Sequence, residues 1–111
     1  MIARTWHGMT AASKADAYLE VLKESGLKDY RDTAGNQGVI VLRRTEGDRT
    51  HVLLITFWES FDAIRVFAGP NPERAVYYPE DKEFLLDFEP TVTHYDVVLS
   101  QTDADREARR T

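Results

Sequence analysis

The chain contains no cysteine. That absence alone excludes disulfide scaffolds, thiolate metal sites, iron–sulfur clusters and cysteine nucleophiles. Positive charge is also scarce: 14 Lys and Arg against 19 Asp and Glu leave a formal net charge of −5. Nucleic acid or an anionic membrane surface would require a basic stripe to neutralise phosphates. No such stripe is visible, so neither is an expected partner. The single basic cluster, Arg106, Arg109 and Arg110, is interleaved with Asp103, Asp105 and Glu107 and reads as a solvated, mixed-charge end. No apolar run approaches the length of a membrane span. Met1 to His7 lack the basic start and apolar stretch of a signal peptide, and the expected location is cytoplasmic. Glycine-rich phosphate loops, a Gly-x-Ser-x-Gly elbow and a lysine-nucleophile context are missing too.

What remains is enough for one domain with one core: 111 residues, 42% hydrophobic and 11% aromatic. We expect that domain to span residues 1–99, followed by a polar, aperiodic tail over 100–111. Ile2 to Met9 reads as a strand. Thr10 or Ser13 can cap a helix whose stripe is Ala15, Tyr18, Leu19 and Leu22, with Gly26 terminating it. A polar connector, Leu27 to Thr33, and a turn, Ala34 to Gly38, lead to a second strand over Val39 to Arg44. Glu46-Gly47-Asp48 then makes a hairpin turn into a third strand, Thr50 to Trp58. Ser60 is a good N-cap for a second helix burying Phe61, Ile64 and Phe67. Glu73 to Tyr78 can make a helical turn, and Pro79 opens a short helix over Glu80 to Phe88. Thr91 to Leu99 is the last strand.

The third strand is apolar on both parities, with Leu53, Ile55 and Phe57 on one face and Val52, Leu54 and Trp58 on the other. Such a strand must be covered on both sides. The order of elements favours a ferredoxin-like α+β domain: a βαββαβ antiparallel sheet with its helices on one face. The other face, expected to carry Trp, Val, Leu and Tyr side chains, would be a liability if exposed. Two sheets packed face to face in a homodimer solve that problem.

The segment Phe57-Trp58-Glu59-Ser60-Phe61-Asp62-Ala63-Ile64 is similar to the strand-to-helix junction of the antibiotic-biosynthesis-monooxygenase family. Phe67-Ala68-Gly69, Ala75 to Asp81 and Glu89 to Tyr95 resemble one small-protein branch of it, so the likeness runs from Ile2 to about Leu99. It implies a dimeric α/β barrel with a pocket between sheet and helices. It further implies an aromatic or hydrophobic small molecule as ligand and, in the cofactor-free members, oxidation of electron-rich phenols with no cofactor. The haem-degrading members use an Asn on the first strand, a Trp in the second helix and a His after it. Those positions fall here near Arg4 or Trp6, on Phe67 and on Tyr77, so that pattern is replaced, although a tyrosinate at Tyr77 can in principle hold ferric haem.

A cofactor-free oxygenase needs an aromatic-lined cavity, a base, and a cation or donor for the substrate anion. Arg4 and Trp6 share strand parity with Gly8, so a cation, a ring and a gap can face one cavity. The dimer interface would explain Trp6 equally well. Trp58, Tyr77 and Tyr78 complete the substrate-binding candidates, with core packing the plainer reading of Trp58. His94 and Asp96 share parity on the last strand and are the candidate base and its orienting acid. A solvent-facing pair would look the same. His7 lies on the opposite parity to Trp6, and His51 is expected to be exposed. The three histidines are far apart in sequence, so no metal site is expected. A dimeric binding module without catalysis is the alternative.

Overall fold

A computed structural model describes residues 1–101. The expected tail therefore lies almost wholly outside the described residues, as do its charged clusters. Four strands form one antiparallel sheet in the order β2-β3-β1-β4: β1 Ile2–Ala11, β2 Asn36–Glu46, β3 Arg49–Trp58 and β4 Thr93–Asp96. Helices α1 Ala15–Glu24, α2 Gly26–Asp32 and α3 Phe61–Ala68 complete the domain. No helix among the described residues is long and apolar enough to cross a membrane.

The sheet register decides which side chains meet the helices. β1 pairs with β3 so that Arg4 faces Thr56, Trp6 faces Leu54 and Gly8 faces Val52. This row is buried together with Tyr18 and Leu22 of α1, Tyr30 of α2, and Ala63 and Ile64 of α3. Cross-strand neighbours share a face, so the opposite face carries Leu53, Ile55 and Phe57 with Ile40, Leu42 and Tyr95. Here the sequence expectation is corrected. The Val52, Leu54 and Trp58 row lies under the helices, and Trp6 and Leu54 are core rather than interface residues. The bare face is an Ile, Leu and Phe surface on which Ile40, Leu42 and Tyr95 are 46%, 45% and 58% exposed.

Local departures have physical causes. Thr10 does not cap α1, because β1 runs on past it. It is fully buried opposite Thr50, and its hydroxyl donates to the Ala11 carbonyl. Ser13 sits inside a 3-10 turn, Ala12–Lys14, that leads into α1 without a side-chain cap. Gly26 begins α2 instead of ending α1. The break falls at Ser25 (φ −121°, ψ −95°), whose hydroxyl donates to the Val21 carbonyl at 2.7 Å. The supposed connector is helical because Tyr30 gains burial edge-on against Trp58, with ring centroids 6.2 Å apart. Ser60 caps α3 as expected, its Oγ accepting from Ala63 N at 3.1 Å.

Residues 73–78 form no helical turn; Arg74 instead makes an isolated bridge to Thr91. Past Pro79 only a 3-10 helix forms, Pro79–Glu83. β4 is shorter than expected because another segment takes the rest of β1's edge. Leu86 N donates to Met9 O, and Leu85 bridges Thr10, leaving only Ile2 to Thr5 for β4.

Candidate functional site

Between the sheet and the helices lies a cavity of about 20 Å³, lined by Arg4, Trp6, Tyr18, Tyr30, Tyr78 and Asp81, with Leu22, Gly26, Leu54 and Val76. A space of that size holds about one water molecule. The gap expected at Gly8 is filled from within the chain. The Trp6 ring lies back over it, so that a Cβ placed on Gly8 would sit 2.2 Å from the ring edge.

Arg4 is the unusual member of this lining. It is 2% exposed, and among the described residues no carboxylate forms an ion pair with it. One Nη donates to the Arg74 carbonyl at 2.8 Å, and the guanidinium lies 5.5 Å from the centroid of Phe67. Its Nε has no hydrogen-bond partner. A buried cation without a compensating anion is costly. Burial accordingly lowers the Arg4 pKa, while Tyr30 and Tyr78 oppose that shift. The buried indole Nε1 of Trp6 makes no well-formed hydrogen bond among the described residues, although its interaction with the Tyr77 hydroxyl lowers the Tyr77 pKa against the effect of burial. The Arg4 Nε is thus the donor on this face of β1 without an acceptor among the described residues.

The tyrosines are held firmly protonated. Burial pushes Tyr30 up to about 12, and raises Tyr18 and Tyr78 further, with Asp81 and Asp29 respectively adding to the effect. Asp81 has two roles. One carboxylate oxygen accepts from Tyr78 N at 2.7 Å, closing the first turn of the 3-10 helix. The other faces the Tyr18 hydroxyl at 3.4 Å. Burial raises the Asp81 pKa despite these bonds. The fold therefore binds the Asp81 proton more tightly than the unfolded chain does. Stability from this group is greatest at low pH and falls as pH rises above the ordinary carboxylate value of 3.8. Asp81→Asn keeps an acceptor for Tyr78 N without the charge. It is expected to raise the melting temperature at pH 7 and to lose that advantage near pH 3, as calorimetry across pH would show.

The other candidates are dispersed around this centre. Tyr78 lines the cavity, and its hydroxyl donates to Asp29 at 2.5 Å. Trp58 is fully buried behind it, its Nε1 donating to Thr56 Oγ1 at 2.8 Å. Tyr77 packs edge-on against Trp6 and Phe88 and donates to the Glu89 carbonyl at 2.5 Å. His94 is opposite Arg4 in the β1–β4 ladder and edge-on to Phe61. Its Nε2 is buried without a partner, and burial, then the Arg4 charge, lowers its pKa and favours the neutral imidazole. Asp96 is exposed and pairs with Ile2 in the ladder.

Tyr18, Tyr30 and Asp81 were not among the sequence candidates. The first two read as core stripe and connector. Asp81 read as one of two acids serving a helix dipole, with nothing to tell which of them turns inward. A second cluster also escaped notice. His7 Nδ1 bonds Glu89 and its Nε2 lies 3.0 Å from His51 Nδ1, on the sheet face away from the cavity. His51 is thus half-buried rather than exposed.

No family model matches the sequence, and no curated relative does. Solved structures do match. A Bacillus cereus protein assigned by name to the antibiotic biosynthesis monooxygenases is 16% identical, with a TM-score of 0.58 over 91% of this chain and 96% of that one. A point mutant of MhuD with two manganese protoporphyrin IX molecules per active site is 18% identical, with a TM-score of 0.57 over 92% and 99%. The haem-degrader MhuD from Mycobacterium tuberculosis, with two haems in its active site, is 18% identical, with a TM-score of 0.54 over 92% and 100%. At these identities the likeness is one of fold. The chain has the ferredoxin-like α+β fold of the antibiotic-biosynthesis-monooxygenase-like proteins.

Proposed function

We propose that this chain is a homodimeric protein that binds an aromatic small molecule bearing an acidic oxygen in the cavity beneath the helices. In this reading it oxidises that molecule with dioxygen without a cofactor. The observation that carries the reading is Arg4: a buried guanidinium with no acid partner and no acceptor for its Nε among the described residues. A phenolate or enolate would satisfy that donor and neutralise the charge. Its ring would pack among Trp6, Tyr18, Tyr30 and Tyr78, with Trp58 and Tyr77 supporting them from behind and beside.

The base is Asp81, whose raised pKa suits proton abstraction. His94, neutral and next to Arg4, is the other candidate, with Asp96 on the same strand face. Once the substrate has lost its proton, Arg4 holds the anion. A ring carbon then bonds dioxygen, and the protonated peroxide loses water to leave a carbonyl. A ligand of that size needs a cavity of several hundred Å³, so the side chains that fill this space, Trp6 first among them, would have to rearrange on binding. Incubation with an anthrone-type phenol under air is the direct test. Oxygen uptake above buffer that Arg4→Met abolishes is expected; uptake at the buffer rate would leave only binding.

That second reading, a dimeric binding module without catalysis, is favoured by one observation: Trp6 already fills the gap at Gly8, and the cavity holds about one water. Haem is the more distant third reading: two neighbouring structures hold porphyrins in their active sites, but here Tyr77 is engaged with the Glu89 carbonyl and burial raises its pKa away from the tyrosinate form.

The dimer would form through the bare face of the sheet. Ile55→Glu places a charge at the centre of that apolar row, opposite Ile40. It is expected to convert a dimer to a monomer in sedimentation, whereas a wild-type monomer would contradict the homodimer.

A further inference from the structure

We infer that His7 and His51 form a chelate for a late first-row divalent metal ion, Cu²⁺ or Zn²⁺, on the sheet face opposite the cavity. His7 lies on β1 and His51 on β3, two residues apart in register and on the same face. Their ring nitrogens, His7 Nε2 and His51 Nδ1, are 3.0 Å apart. Two imidazole nitrogens bound to one tetrahedral ion are about 3.3 Å apart, given metal–nitrogen distances of about 2.0–2.1 Å. The nitrogen separation is therefore near that of a chelate, and a turn of one ring would converge the lone pairs of the two nitrogens, which now face each other across a hydrogen bond.

Glu89 strengthens the case. It accepts from His7 Nδ1, which fixes the proton on that nitrogen and leaves Nε2 as a lone pair aimed at His51. A carboxylate behind a ligating imidazole is the usual outer partner of such sites, orienting the ring and raising its basicity. His51 would bind through Nδ1 and carry its proton on Nε2. The groove here is open, about 320 Å³ in volume, and lined by both histidines with Leu42, Leu53, Arg43 and Arg44. The two arginines would repel a cation, but Asp16 holds Arg43 at 2.9 Å and Glu46 holds Arg44 at 2.6 Å, offsetting the charges.

Among the described residues no set of three His, Asp or Glu converges for a metal, so water completes the coordination. Met9 stands opposite His51 on the same face and offers a thioether, a ligand type that favours copper. Leu42 and Leu53 belong to the face through which two copies would pair, so the site requires the hairpin end of that face to stay uncovered in the dimer.

Calorimetric titration of the metal-stripped full chain with Cu²⁺ and Zn²⁺, in a non-chelating buffer at pH 7.4, tests this. Saturable binding is expected, tighter for Cu²⁺, with nitrogen hyperfine structure in the copper paramagnetic resonance spectrum. His7→Ala and His51→Gln should each weaken binding at least about tenfold, and Glu89→Gln by about tenfold or more. Circular dichroism would verify that each variant is folded. Absence of saturable binding by the wild type would overturn the inference, as would binding that the folded His51→Gln variant retains in full.

Discussion

Trp58→Ala is expected to remove about 3–5 kcal/mol of stability, a large share of the roughly 5–15 kcal/mol available to a domain of this kind. Trp58 is 0% exposed. Its ring centroid is 6.2 Å from Tyr30 of α2 and 5.8 Å from Phe67 of α3, so both helices pack against this side chain of β3. Truncation leaves a void that the sheet cannot close and removes the indole N–H donor from the Thr56 hydroxyl, which keeps its bond to the Arg4 carbonyl. Denaturant unfolding should show a much lower midpoint. Val66→Ser, at a position 75% exposed, should stay within about 0.5 kcal/mol. A Trp58→Ala protein as stable as wild type would mean that this residue belongs to a site and not to the core.

Arg4→Met is expected to have opposite effects on stability and on binding. Replacing a buried, unpaired charge by an apolar chain of similar length is neutral or stabilising, by up to about 1–4 kcal/mol in comparable buried-ion replacements. The lost bond to the Arg74 carbonyl offsets about 1 kcal/mol of that gain. For an anionic ligand the same change removes the one cation among the described residues that line the cavity, and should cost about 2–5 kcal/mol of binding. That is a fall in affinity from about thirtyfold to a few thousandfold. A residue kept for structure would show the reverse, with lost stability and unchanged binding. Thermal unfolding with and without an anthrone-type phenol separates the two.

The fold was legible where one residue decided one feature. Ser60 capped α3, Gly47 (φ +62°) turned the hairpin, and the two apolar rows of β3 required two covers. Which row met the helices was not legible, because strand alternation is symmetric and only packing breaks the tie. Tyr30 shows the same limit: its segment is polar, and contact with Trp58 made it helical. The site was partly legible. The shared parity of Arg4, Trp6 and Gly8 survived, but their gap became the resting place of the Trp6 ring. Asp81, and the meeting of His7 with His51 and Glu89, depend on distant segments that no local pattern connects.

On the proposed reading Arg4 waits for an anion in the cavity beneath the helices. Its most direct test is calorimetric titration of wild type and Arg4→Met with one anthrone-type phenol, at a pH where the phenol is partly ionised. Saturable binding by the wild type, weakened at least about thirtyfold in Arg4→Met, is the predicted result. Equal binding by both proteins, or binding by neither, would contradict it.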